Sequence, residues 1–261
     1  MPSRPPRFAT LLLVALAAPW QGTSCSQGPT AGPTAVEVMT KVARAYATCR
    51  TYQDEGTLMT EFIDPQGKVE KPILADRFTT ALVRPARFKF DFRHNGSGVT
   101  RQMVVWVDGD GPKNWWDLDD KVVRPESLDF ALGGYAGVTM GASTEIPQLL
   151  NPSAGKDAPV RVAFSQFKTL KQLDDVKVDD VDCFQVEGRM EALNMQTGKP
   201  FQTRSTYAVA KSTFLIRRLR SEMDLEIGRA VTTITYTPKL DEPVDDKALA
   251  FHPATDGVKG K

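Results

Sequence analysis

From Tyr52 onward, apolar and polar side chains alternate along most of the chain, and the alternation is strictest in Arg87-Phe88-Lys89-Phe90-Asp91-Phe92-Arg93. Successive side chains of a strand point to opposite faces, so Phe88, Phe90 and Phe92 share one face and the charged groups take the other. That face has to be covered by something apolar. The same pattern predicts strands at Gly56 to Ile63, Phe78 to Val83, Phe88 to Phe92, Met103 to Val107 and Lys113 to Leu118, separated by turns such as Asp64-Pro65-Gln66-Gly67 and Asn95-Gly96. This is an antiparallel meander. A second β-rich half is expected at Arg161 to Leu170, Asp182 to Ala192, Phe201 to Ala210, Phe214 to Glu226 and Ala230 to Tyr236, with Met223, Leu225 and Ile227 on one apolar face.

Two stretches depart from the period of two. Ala35 to Cys49 places Val38, Val42, Ala45, Tyr46 and Cys49 at spacings of three and four, the face of an amphipathic helix, with Thr34 as N-cap and Glu37 completing a capping box. Pro125 to Asn151 is also helical in spacing, with Leu128, Leu132 and Tyr135 in one piece and Ile146, Leu149 and Leu150 in another. Gly133, Gly134, Gly137 and Gly141 lie within it, and each interior glycine costs a helix about 1 kcal/mol. Ser143 is the expected N-cap of the second piece, and Pro147 falls in its first turn, where proline is tolerated. The insert reads as a cover for the apolar sheet face. The predicted fold is mainly β (α+β): a curved antiparallel half-open β-barrel of about ten strands, with an N-terminal helix and a helical lid insert.

The first residues carry an address. Arg4 and Arg7 precede an apolar run from Phe8 to Ala18, and Gly22, Thr23 and Ser24 follow, the layout of a secretory signal peptide over residues 1–24. The run is shorter than the roughly eighteen residues needed to span a bilayer. Cleavage after Ser24 would begin the mature chain at Cys25, which is also the outline of a lipidated N-terminus, although Gly22 stands where such signals carry Leu. Either lipidation of Cys25 or ordinary cleavage nearby satisfies the pattern. Residues 25–34 read as a tether, 35–253 as a single domain and 254–261 as a disordered tail. The expected location is the periplasm, with membrane anchoring if Cys25 is lipidated.

Charge and cysteine content refine this picture. The 33 basic and 32 acidic side chains nearly cancel, so no global field would collect nucleic acid or an anionic membrane. Besides Cys25, only Cys49 and Cys183 remain, a pair that an oxidising compartment would tend to join. A bridge across so long a loop would stabilise the fold by about 4–5 kcal/mol in the chain-entropy model. Two separately buried thiols are the alternative.

Catalytic signals are lacking. His94 and His252 are the only histidines, neither has Cys or Glu beside it at metal-ligand spacing, and no nucleophile elbow, phosphate-binding glycine loop or zinc-protease motif occurs. Asp108 and Asp110, Asp117 to Asp120, and Asp174-Asp175 with Asp179-Asp180 read as turns and strand ends, because the EF-hand ligand pattern is absent. No enzyme, cofactor or metal is expected. Trp106, Trp115 and Trp116 read as packing, though large amphipathic rings also suit the rim of a lipid pocket.

The order of several short motifs is specific where each alone is not. Val83-Arg84-Pro85 before Phe88-Lys89-Phe90, then Val107-Asp108-Gly109 with Trp115-Trp116, an insert ending in Pro147-Gln148-Leu149-Leu150, and the late Tyr236-Thr237-Pro238 and Phe251-His252-Pro253 follow one another across nearly all of 35–253. In this order the chain resembles the periplasmic lipoprotein carrier and receptor family, LolA and LolB, with their outer-membrane lipoprotein-sorting relatives. The resemblance implies a non-enzymatic monomer whose apolar cavity takes the acyl chains of a lipoprotein or phospholipid, with an inner-membrane release complex or an outer-membrane receptor as partner. It places Phe88, Phe90, Phe92, Trp106, Leu132, Tyr135 and Leu149 as cavity candidates. It also makes Arg84 the latch that hydrogen-bonds the lid, a task suited to the five donors of a guanidinium. A lipidated Cys25 would prevent shuttling, which keeps open an envelope sensor or adaptor of the same fold that binds a protein partner or mislocalised lipoprotein.

Overall fold

The computed structural model describes residues 32–69, 75–96, 98–151, 164, 166–193, 200–225 and 228–253; the expected signal peptide, Cys25 and the tail 254–261 lie outside them. Helix α1 (Ala35–Thr48) starts at the predicted capping box: the Glu37 amide donates to Thr34 Oγ1 at 3.3 Å, and the Thr34 amide donates to Glu37 Oε2 at 2.8 Å. Its stripe of Val38, Met39, Val42, Ala43 and Tyr46 is buried.

The meander follows as β1 (Thr51–Ile63), β2 (Asp76–Val83), β3 (Arg87–Gly96), β4 (Val99–Asp108), β5 (Gly111–Trp116) and a short β6 (Lys121–Val123). Two six-residue helices, α2 (Leu128–Gly133) and α3 (Glu145–Leu150), form the insert, joined by turns. The second half is β7 (Thr169–Val178), β8 (Val181–Leu193), β9 (Pro200–Ala210), β10 (Ile216–Leu225), β11 (Gly228–Tyr236) and β12 (Lys239–Leu240), ending in helix α4 (Asp246–Leu249). All twelve strands belong to one antiparallel sheet, in the order β6-β5-β4-β3-β2-β1-β11-β10-β9-β8-β7, with β12 on β1. The β1 to β11 pairing welds the halves, and the described sheet is open between β6 and β7.

Four local expectations are corrected. The strand expected at Arg161 to Leu170 does not begin until Thr169; residues 161–163 lie outside the described set, and a turn and bend occupy Gln166 and Lys168. Asp174-Asp175, read among the turns and strand ends, instead sits in a bulge inside β7 between Leu173 and Val176, a common device on an edge strand, and Lys211 Nζ donates to Asp175 at 2.5 Å. Ser143 does not cap α3: Thr144 holds that position, while the buried Ser143 hydroxyl donates to the Leu132 carbonyl at 2.9 Å. Leu225 stays exposed rather than joining the apolar face.

Cys49 and Cys183 are both free, so the expected disulfide is corrected as well. Register gives the reason. Phe184, Val186, Tyr207 and Val209 contribute to the main core, and Cys183 pairs with Ala210 on alternate positions, so its side chain points to the opposite face. There it clusters with Val178 and Ala208, while Cys49 belongs to the main core and its Sγ donates to the Tyr46 carbonyl at 3.2 Å.

The main core lies on the inner face of the sheet, beneath α1, α2 and α3. Phe88, Phe90 and Phe92 are all buried there, each contributing about 2–3 kcal/mol. Phe78 crosses Gly56, where a Cβ would come within 2.0 Å of Phe78 Cζ. Only glycine lets that ring lie flat on β1. Gly56→Ala is expected to force Phe78 aside and destabilise the protein by about 1–3 kcal/mol, read as a lower urea midpoint with unchanged slope.

Candidate functional site

Five of the seven cavity candidates lie in one cluster: Phe88, Phe90, Phe92, Leu132 and Leu149 are buried in the main core. Tyr135 is half-buried against it, its ring 6.2 Å from that of Trp116 in an edge-on contact. Trp106 is not brought to this face. It points to the other side of the sheet with Val104 and Trp115, where Phe251 packs edge-on at 5.0 Å and the Asp108 carboxylate accepts its indole N–H at 3.3 Å. Alternation along β4 decides this, since Met103 and Val105 face inward and Val104 and Trp106 therefore face outward. Two of the acidic turns serve the outer cluster. Asp108 takes Lys113 Nζ at 2.7 Å, and Asp120 accepts from Trp115 Nε1 at 3.0 Å.

Arg84 caps α1. Its Nε donates to the Cys49 carbonyl at 2.7 Å and one terminal nitrogen to the Tyr46 carbonyl at 3.0 Å, satisfying acceptors that a helix C-terminus leaves unpaired. At the same end the Tyr46 hydroxyl accepts the Ile216 amide at 3.0 Å. These bonds tie α1 to β2 and β10 at once. The insert, by contrast, is bonded chiefly to itself: Thr139 Oγ1 donates to Ser143 Oγ at 2.9 Å, Ser143 to Leu132, and Asn151 Nδ2 to Asp129 Oδ1 at 2.7 Å. Toward the sheet, the Tyr207 hydroxyl donates to Glu145 Oε2 at 3.2 Å.

The interior also carries a polar seam that periodicity gave no reason to expect. Four of the five tyrosines, Tyr46, Tyr52, Tyr207 and Tyr236, are fully buried with two carboxyls among them. Asp54 accepts the Tyr52 hydroxyl at 2.8 Å and the Thr80 amide at 2.9 Å; burial pushes its pKa up to about 6 despite those bonds. Burial likewise lifts Glu145 to about 7 against the pull of the Tyr207 hydroxyl. Tyr52, Tyr207 and Tyr236 are raised well above the ordinary phenol, by burial first and by these carboxylates second. A local signal existed only for Tyr52, whose strand places Asp54 two residues later on the same face; Tyr207 and Tyr236 are followed at that spacing by Val209 and Pro238 and gave none.

Grooves on the outer face are of another kind. One of about 380 Å³ runs among Glu55, Thr57, Arg77, Thr79, Asp91 and Arg93, where Thr and Gly leave room between charged neighbours. Another, about 730 Å³, lies beside Trp106, Val122, Val123 and Phe251. Among the described residues no three of His, Cys, Asp and Glu converge as a metal site, and His94 Nδ1 is spent on Asp76 Oδ2 at 3.0 Å. No helix of the described residues is long and apolar enough to cross a membrane.

No protein-family model matches the chain, and no curated protein does either. Several solved structures are similar in architecture. Lipoprotein LppX of Mycobacterium tuberculosis shares 15% identity over 81% of this chain and 97% of its own, with a TM-score of 0.45. LprF of Mycobacterium bovis shares 12% over 81% and 94%, with a TM-score of 0.41. The LolA superfamily protein NE2245 of Nitrosomonas europaea shares 13% over 84% and 99%, with a TM-score of 0.34.

The seam makes stability depend on pH in a defined direction. Asp54 and Glu145 keep their protons in the fold where the unfolded chain has lost them, so their contribution is complete below 3.8 and 4.5 and is lost as pH rises through about 6 and 7. Each loss is on the order of 2–3 kcal/mol. Urea midpoints should therefore fall as pH rises across this window, and Glu145→Gln should flatten the upper part of the decline; an identical profile in that variant would contradict the assignment.

Proposed function

We propose that this is a non-enzymatic envelope protein, exported to the periplasm, that holds the acyl chains of a lipoprotein or lipid against the inner face of its sheet. The observation that carries the reading is the construction of the cover. Helices α2 and α3 have only six residues each, too short to be stable alone, and their polar groups bond largely within the insert. Their apolar side chains, including Leu132, Ile146, Leu149 and Leu150, complete the core. Such a cover can lift as a unit without breaking its own hydrogen bonds. What it would expose is a floor of Phe78, Phe90, Phe92 and Met103, and each acyl methylene buried there in its place contributes about 0.8 kcal/mol.

In this reading α1 is a fixed wall and the insert is the moving part. Arg84 thus acts on the wall: it holds α1 in place rather than clasping α2 or α3. Transfer of lipoproteins toward an outer membrane is the role that the motif order supports, and the inner face supplies the matching chemistry.

Two measurements follow. Native mass spectrometry with lipid extraction of the full-length protein from its native envelope should reveal co-purifying acyl lipid, and added monoacylglycerol should bind the delipidated protein; a protein that carries and accepts none would overturn the proposal. Arg84→Leu leaves the α1 carbonyls unpaired, with an expected loss of about 2 kcal/mol and greater binding of a hydrophobic dye. Unchanged dye binding would show that α1 does not need this clamp.

A further inference from the structure

The two edges of the sheet are built differently. β7 carries the bulge at Asp174 and Asp175, a device that obstructs the addition of a further strand. β6 has no bulge, and among the described residues it has a strand on one side only. Val122 and Val123 are 47% and 50% exposed there, and Leu118 in the preceding turn is 53% exposed. The groove of about 730 Å³ walled by Phe251, His252 and Pro253 lies beside Val122, with room for side chains of an added strand.

The ladder shows which backbone groups of β6 are free. The Asp117 amide donates to the Gln102 carbonyl at 3.1 Å, so Asp117 and, by alternation, Trp115 turn their backbone groups toward β4. Asn114 and Trp116 therefore turn theirs toward β6, where they meet Val123 and Lys121. Val122, between those two, directs its N–H and C=O away from the sheet. Pro125 falls in the other backbone set, so its missing N–H removes nothing from this edge.

The side chains around Val122 define the strand that fits. Asp120, Lys121, Val122, Val123 and Arg124 are all exposed. Asp120 is held on the outer face, where its Oδ1 accepts from Trp115 Nε1, and Arg124 is on the same face, with only a loose contact of 3.9 Å to the Asp110 carboxylate. A second copy placed antiparallel, with its two-fold axis at Val122, exchanges both backbone bonds between the two Val122 residues. In that register Asp120 of each copy faces Arg124 of the other, and Lys121 lies opposite Val123, over which its methylene stem can extend. A shift by two residues sets Arg124 or Asp120 against Val122 and loses both ion pairs. The edge is therefore complementary to itself in one register. We propose that the protein forms a symmetric dimer through β6, joining two sheets edge to edge, in place of the monomer that the family resemblance implies. Two central backbone bonds and two solvent-exposed ion pairs make it a weak dimer, with Kd in the micromolar range. The inference is independent of the acyl-chain reading.

Sedimentation equilibrium of the purified protein, from low to high micromolar concentration, should show a monomer–dimer equilibrium. Arg124→Glu and Asp120→Lys each set like charges opposite one another twice and should raise Kd by about tenfold or more, whereas an equimolar mixture of the two variants restores both pairs and should return to within about threefold of the unsubstituted protein. Val122→Pro removes the outward donor and should abolish the dimer. An edge strand accepts proline where the N–H faces solvent, so its urea midpoint should change little. A monomer at every concentration, a dimer indifferent to the single charge reversals or to Val122→Pro, or a mixture that associates no better than its components would each overturn the inference.

Discussion

The inner face of the twelve-stranded sheet has to be kept from water, and an open sheet cannot do this by closing on itself. Phe78, Phe88, Phe90, Phe92, Met103 and Ile234 present a continuous apolar surface that is covered only where helices lie on it. The chain supplies two covers with different attachments. Helix α1 is anchored by polar bonds at its C-terminal end, from Arg84 to two carbonyls and from the Ile216 amide to the Tyr46 hydroxyl. The α2 and α3 insert is held mainly by apolar contact. Apolar contact is non-directional, so it can be exchanged for contact with an acyl chain at little cost, whereas the bonds at α1 cannot.

Strand parity sorts the remaining side chains. On one side of β4 Met103 and Val105 join the interior; on the other Trp106 joins Trp115 and Phe251 in an outer cluster capped by the C-terminal segment. The same rule separates Cys49 from Cys183 and leaves both as buried thiols. Fold stability here comes from burial and not from a covalent clip.

The buried carboxyls complicate a simple apolar interior. Asp54 is well served by Tyr52 and Thr80, which makes it a structural anchor between the start of β1 and the second half of β2. Glu145 is different, because its partner Tyr207 belongs to the sheet and Glu145 belongs to the cover. A single polar contact of this kind orients the cover without fixing it, and its protonation state alters the strength with which the cover is held.

Much of this was legible in the chain itself. The capping box of α1, the meander, the insert and the inward set of Phe88, Phe90 and Phe92 all follow from local rules, since capping, turn chemistry and side-chain alternation act over a few residues. Trp106, the cysteine pair, the edge strand β7 with its acidic bulge, and the buried pairing of Glu145 with Tyr207 did not, because each depends on which distant element arrives on which face. Periodicity determined that a greasy face exists and that something must cover it. Only the tertiary structure decided that α1 would be clamped by Arg84, that the insert would hang on apolar contact, and that Glu145 of the insert would meet the Tyr207 hydroxyl of the sheet, because register and packing, not composition, bring those groups together.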